Sequence, residues 1–171
     1  MSYKNPVVDI AMPDPTVIKA ADGYFYVYAT ESTRNVPIMK SKDLVQWTFC
    51  NTAFTNKTRP RFEPKAGIWA PDINYINNKY VLYYAMSVWG GEQTCGIGVA
   101  TADSPQGPFT DHGKMFRSNE IGVQNSIDPS FLQYEGRNYL VWGSFRGIYV
   151  IELTEDGLSL KPGAEKKRIA G

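Results

Sequence analysis

The sequence has almost nothing from which to build a metal centre or a disulfide framework. It contains one histidine, His112, and two cysteines, Cys50 and Cys95, in 171 residues. A structural zinc site draws on several Cys and His ligands, and a small disulfide-stapled domain needs more than one cysteine pair. Charge of one sign is also missing: 18 Lys and Arg face 17 Asp and Glu, a net charge of +1. No strong field invites nucleic acid or an anionic membrane, so neither is expected as a partner. The one basic run, Lys166-Lys167-Arg168, reads as a solvated strand end. No apolar stretch approaches the roughly 20 residues of a spanning helix. No signal-peptide pattern opens the chain. No segment shows a convincing 3.6-residue period, which argues against long helices.

Aromatic residues are plentiful: 11 Tyr, 8 Phe and 4 Trp. With 43% hydrophobic residues the chain is long enough for one domain with a real core. Aromatic and β-branched side chains fit pleated, half-buried surfaces. Flat rings also suit the apolar faces of sugars, although a β core accounts for most of them.

Three stretches repeat one another. They are "DPTVIKAADGYFYVYAT" from Asp14, "PDINYINNKYVLYYAMS" carrying Asp72, and "DPSFLQYEGRNYLVWGS" from Asp128. Each runs acid, short apolar strand, turn, then a Tyr-bearing strand. The turns are Asp22-Gly23, Asn77-Asn78 and Glu135-Gly136, all hairpin chemistry. Asp14 and Asp72 lie 58 positions apart, Asp72 and Asp128 56. Each unit reads as four strands, at 14–20, 24–30, 36–41 and 46–54 in the first. Repeats of four antiparallel strands mean propeller blades. The expected fold is therefore an all-β partial β-propeller, a single domain over 1–171. Its blades are placed at about 10–56, 68–116 and 125–169. The first strand of a blade lines the central channel, so Asp14, Asp72 and Asp128 are expected at equivalent places near one mouth. A single Asp-Pro ordinarily caps a turn; the repetition favours a shared site.

Carboxylates around one pocket suit general acid/base work, and a pair facing a glycosidic bond is the arrangement that hydrolyses sugars. One must stay ionised to activate water while another holds a proton for the leaving group. Neighbouring charge and burial push their pKa values apart.

On these residues the sequence resembles glycoside hydrolase family 43, the five-bladed propeller enzymes, and most of all its endo-arabinanases. The resemblance is carried by "DPTV" from Asp14, "WAPD" from Trp69, "SVWG" from Ser87, "GIGVATADSPQGPF" from Gly96, "SIDPSF" from Ser126 and "GSFRGI" from Gly143. These span nearly the whole chain in family order. The resemblance implies that Asp14 is the general base and Asp128 the residue that raises and orients the proton donor. It implies sugar contacts for Trp69 and Trp89, with a place in the core the equal alternative for Trp69, and pocket wall for Asn125, Ser126, Ile127, Ser144 and Phe145. Asp72, within "WAPD", is given no proton-transfer role; its expected duty is to hold blade and loop together. The implied partner is an arabinose- or xylose-containing oligo- or polysaccharide.

The chain departs from the family in one respect. The family's general acid is a glutamate on a fourth blade, in a Glu-Gly-Pro setting. The only Glu-Gly here is Glu135-Gly136, in a hairpin turn. Glu31, Glu63, Glu92, Glu120, Glu152, Glu155 and Glu165 have no such setting. The histidine that supports a channel calcium in the arabinanases would also lie beyond Gly171, so no cofactor or metal is expected in this chain. The expectation is the N-terminal three blades of an inverting glycosidase, inactive alone. The alternative is a non-catalytic carbohydrate-binding or structural propeller fragment. A secreted or periplasmic location is expected of the longer enzyme. Each end blade is expected to leave one apolar face without a partner: the first presents Tyr24, Tyr26 and Tyr28 on one face and Phe25 and Val27 on the other, and the third alternates Tyr139, Val141 and Gly143 with Leu140 and Trp142, which leads to an expectation of self-association.

Overall fold

The three turns named above close hairpins, and their backbone angles say why those residues stand there. Gly23 sits at φ 84 between β1 (Thr16–Lys19) and β2 (Phe25–Tyr28). Asp22 accepts a hydrogen bond from the Tyr24 N–H at 3.0 Å, an Asx turn. Asn77 and Asn78, at φ 47 and 62, join β5 (Gly67–Ile76) to β6 (Lys79–Ser87). Glu135 and Gly136, at φ 48 and 74, join β9 (Ser130–Tyr134) to β10 (Arg137–Ser144). Two consecutive positive φ values are what a two-residue type I′ hairpin turn requires.

The computed structural model describes residues 3–171. Its remaining strands are β3 (Pro37–Ser41), β4 (Thr48–Thr52), β7 (Gly96–Ala102), β8 (Thr110–Arg117), β11 (Gly147–Glu152) and β12 (Lys167–Ala170). They form three antiparallel meanders, β1-β2-β3-β4, β5-β6-β7-β8 and β9-β10-β11-β12. Among the described residues the one helix is α1 (Ser118–Ile121), a single turn. The fold is thus nearly all-β, three propeller blades in sequence.

The middle blade is packed on both faces, and its alternation divides the core in two. Tyr80, Leu82, Tyr84 and Met86 of β6 join Tyr26, Tyr28 and Ile38 of the first blade. Val81 and Tyr83 join Leu140, Trp142 and Ile151 of the third. Period-two alternation on one strand thereby glues three sheets together. The outer face of the first blade carries a cross-strand row, Val17–Val27–Met39–Phe49. Its ends are 49% and 51% exposed, while Val27 and Met39 are 6% and 8%. On the outer side of the third blade Leu132 pairs with Tyr139 and Val141 with Val150.

A buried ion pair locks the first blade to the second. Arg59 Nη2 donates to Glu31 Oε1 at 2.7 Å and Arg59 Nη1 to Oε2 at 2.9 Å. The same carboxylate accepts from the Asn35 N–H at 2.7 Å and the Ile68 N–H at 2.9 Å.

One expectation needs correction. Counting back from the hairpin turns, Asp72 pairs with Tyr83 as Ser130 pairs with Val141. The residue equivalent to Asp128 is therefore Ala70, two positions before Asp72. Asp14-Pro15, Ala70-Pro71 and Asp128-Pro129 are the corresponding dipeptides. Their first residues all take the left-handed conformation, at φ 49, 40 and 55. In "WAPD" the acid follows the proline instead of preceding it, so the repeats align on the proline and Asp72 falls two residues past the place that Asp14 and Asp128 hold.

Candidate active site

Asp14 and Asp128 converge on one open cavity of about 570 Å³. Each stands just before the first strand of its blade, held by a following proline. Left-handed φ is uncommon outside glycine, and Asp is among the residues that tolerate it best. The turn aims both carboxylates out of the sheet edge instead of into a blade.

The two acids have different surroundings. Asp14 Oδ2 accepts a hydrogen bond from Thr30 Oγ1 at 2.6 Å. Thr30 Oγ1 accepts in turn from the Ala70 N–H at 2.7 Å. This short relay fixes Oδ2 of Asp14 and leaves Oδ1 with no donor among the described residues. Asp128 receives no hydrogen bond from any described residue. Its carboxyl is pushed up from the ordinary aspartate range, first by partial burial and then by the charge of Asp14. Asp128 still meets solvent through the cavity, yet the surrounding walls remove part of its hydration.

Aromatic side chains frame the opening. Trp69 lies on β5 and packs against Trp89, ring centroids 5.5 Å apart and planes at 51°. Gly67 makes room for it: a Cβ there would stand 2.5 Å from the Trp69 Nε1. Trp89 is 94% exposed and Phe145 76%, an unusual state for large rings unless they meet a partner. The Arg146 guanidinium lies 5.0 Å from the Phe145 ring centre. Asn125, Ile127 and Ser144 complete the wall from the third blade. Asn125 is itself left-handed, at φ 56, and its N–H donates to the Glu92 carbonyl at 2.7 Å.

Of the expected site residues, Asp14, Trp69, Trp89, Asn125, Ile127, Asp128, Ser144 and Phe145 all line this cavity. Ser126 does not. It is fully buried behind the wall, where its Oγ donates to the Val123 carbonyl and accepts from Trp142 Nε1 at 3.1 Å. Its neighbours Asn125 and Ile127 line the cavity, whereas Ser126 points the other way into the core. Asp72 is also outside the lining, as its register explains.

Two contributors were not expected from sequence. Thr30 ends the run after β2 and becomes visible only once the first and second blades meet. Glu92 lines the cavity from the β6–β7 loop. Its Oε2 accepts from Gln124 Nε2 at 2.6 Å and from Arg146 Nε at 3.0 Å, so it braces the rim. His112 lies elsewhere, paired with Thr101 Oγ1 at 2.8 Å. Among the described residues no three His, Cys, Asp or Glu side chains gather as a metal site. No described helix is long and apolar enough to cross a membrane.

The glycosyl hydrolases family 43 model matches residues 3–171. An extracellular endo-α-(1→5)-L-arabinanase of Bacillus subtilis is 36% identical over 166 residues, 92% of this chain and 50% of that protein. The structure of a Cellvibrio cellulosa α-L-arabinanase bound to arabinohexaose superposes with a TM-score of 0.82 at 27% identity, covering 94% of this chain and 54% of that one. An exo-1,5-α-L-arabinanase from a bovine ruminal metagenomic library gives 0.80 at 29% identity, over 99% and 58%. The chain thus spans about half the length of the proteins it matches.

Proposed function

The chain belongs to glycosyl hydrolase family 43, and we propose on that footing that it carries the water-activating half of an arabinan-cleaving site. The observation that carries the reading is the meeting of Asp14 and Asp128 in one cavity edged by Trp69, Trp89 and Phe145. In this reading a sugar ring lies against the aromatic rim. Asp14 Oδ1 takes a proton from a water as that water attacks the anomeric carbon, and the glycosidic C–O bond breaks on the opposite face. The leaving oxygen must receive a proton from a separate acid, and the configuration inverts. Asp128 stands beside the reacting ring and, by its charge and orientation, holds that donor in its protonated state.

No glutamate of this chain is placed as the donor. Glu92, the one glutamate on the cavity wall, is committed to Arg146 and Gln124. We therefore expect the chain alone to bind arabino-oligosaccharide without turning it over. Calorimetric titration with arabinohexaose, with xylohexaose as comparator, tests this. Saturable binding of the first, weakened by Trp89→Ala, is the expected result. No binding, or equal binding of both, would overturn the arabinan reading. In a polypeptide extended through the remaining blades, Asp14→Asn should lower turnover by about 10²–10⁴-fold, the usual worth of general base help, with sugar affinity unchanged. Turnover within a few-fold of the unaltered enzyme would show that Asp14 is not the base.

Because the similar Bacillus subtilis arabinanase is extracellular, the same location is proposed for the longer enzyme, outside the cell or in the periplasm. The apolar outer faces of the first and third blades support self-association of the isolated chain. Light scattering over a dilution series should show a concentration-dependent mass, and a constant monomer mass would dismiss it.

A further inference from the structure

We propose that Asp72 is a positioning residue: it spans the three blades and sets the separation of the strands that deliver Asp14 and Asp128. The inference rests on the proposed roles of those two acids. Asp72 is off the cavity, on the channel-side strand of the middle blade, two residues past Ala70-Pro71. Its Oδ2 accepts from the Phe131 N–H at 2.7 Å, and Phe131 lies three residues past Asp128 at the start of β9. Its Oδ1 faces Thr16 Oγ1 at 3.5 Å, two residues past Asp14 at the start of β1. The Thr16 Oγ1 also accepts from the Ile73 N–H at 3.4 Å. Asn74 Nδ2 donates to Asp72 Oδ2 at 2.8 Å and keeps the carboxylate turned toward both neighbours.

The arrangement has an unequal shape. The arm to the third blade is a short bond to a backbone donor, while the arm to the first is long and reaches a side chain. Asp72 should therefore hold Asp128 more firmly than Asp14. Burial opposes the charged carboxylate here and raises its pKa, outweighing the hydrogen bonds from Phe131, Asn74 and Thr16. An apolar residue would avoid that penalty, so a purely adhesive role is poorly served by an acid at this place. A carboxylate has what an apolar side chain lacks: a short, directional grip on a main-chain N–H in one blade and a hydroxyl in another. Residues that hold reacting groups in place are commonly gripped in this way by a second layer of hydrogen bonds.

The experiment reads the carboxyl titration of Asp128 by carbon-detected NMR on the ligand-free chain. In the unaltered protein Asp128 titrates above the ordinary aspartate range, from partial burial and from the Asp14 charge. Asp72→Ala removes both arms. The strands part, the acids couple less, and the Asp128 midpoint falls toward the ordinary value. Asp72→Glu keeps the charge but lengthens the arm by one methylene, so the midpoint falls by a smaller amount. Asp72→Asn keeps an acceptor for Phe131, and an amide N–H can face Thr16, so the midpoint stays near that of the unaltered chain. A residue that merely stabilises the fold would change melting and leave the Asp128 midpoint of the folded protein where it was. An unshifted midpoint in both Asp72→Ala and Asp72→Glu overturns the proposal. Should Asp72→Ala fail to fold, Asp72→Glu decides alone. The titration needs no sugar, so a failure of arabinohexaose to bind speaks against the arabinan reading and leaves this result standing.

Discussion

Glu31 and Asp128 are both acids removed in part from water, and the protein treats them in opposite ways. Glu31 accepts from both Nη atoms of Arg59 and from the Asn35 and Ile68 N–H groups. Burial works against its charge, but these donors prevail and its pKa lies below the ordinary glutamate range. Asp128 has no donor among the described residues and a second carboxylate nearby, and its pKa lies above the ordinary range. A satisfied acid is a joint between blades. An unsatisfied acid facing another acid in an aromatic-edged cavity is open to a ligand, because its unmade hydrogen bonds are left for something else, and this supports the catalytic place proposed for it.

The largest expected consequence separates the two by stability. Arg59→Ala leaves the Glu31 carboxylate buried and short of donors, and breaking a buried pair in this way costs about 3–5 kcal/mol. Urea unfolding at pH 7 should show a loss of that order. Asp128→Asn at the same pH should cost nothing and stabilise the chain slightly, because it removes a charge that the fold disfavours. If Asp128→Asn destabilises as much as Arg59→Ala, the two acids do the same work and the contrast fails.

A smaller effect is the pH dependence, and its signs are opposite for the two acids. Glu31 has a lowered folded pKa, so its contribution is present above the unfolded value of about 4.3 and is lost as pH falls through the folded value. Asp128 has a raised folded pKa. Its contribution is fully present below about 3.9, the unfolded value, and is lost as pH rises through the folded value. The penalty of Arg59→Ala should therefore shrink on going from pH 7 to pH 3. The gain from Asp128→Asn should vanish over the same interval. Unfolding free energies of the three proteins at the two pH values check both signs at once.

The Asp128 side of this contrast was legible in the sequence and the Glu31 side was not, for physical reasons. The hairpin turns were readable because Asn-Asn, Asp-Gly and Glu-Gly declare the positive φ that their turns demand. The blade repeat followed from them. Asp14 and Asp128 were readable because each combines an acid with a proline at a matching place. The Asp72 register was misread because proline, not the acid, marks that place, and Asp72 falls two residues after it. Ser126 carries no sign of its burial in the sequence, because two cavity residues flank it while its own hydroxyl is taken up in the core by Trp142 and Val123. Thr30, Glu92 and the Glu31–Arg59 joint gave no local signal, since each acquires its role only from a residue that another blade or a distant loop brings near.

The smallest prediction tests whether the left-handed turn belongs to the site or to the fold. Asp14, Ala70 and Asp128 share it, at φ 49, 40 and 55, yet Ala70 has no polar side chain to offer a substrate. The strain is therefore a requirement of entering a blade through an X-Pro dipeptide, and the acids are additions to it. Left-handed backbone costs an L-residue about 1–2 kcal/mol, whereas glycine adopts it freely but loses about 0.5–1 kcal/mol more entropy on folding. Ala70→Gly should consequently stabilise the chain by up to about 1 kcal/mol. Asp14→Gly should gain less, because aspartate tolerates this conformation better than alanine and the Thr30 hydrogen bond is lost as well. Thermal unfolding of the two variants ranks them. A larger gain at Asp14 than at Ala70 would mean that the first blade stores extra strain for the sake of its acid, and that the turn is part of the chemistry after all.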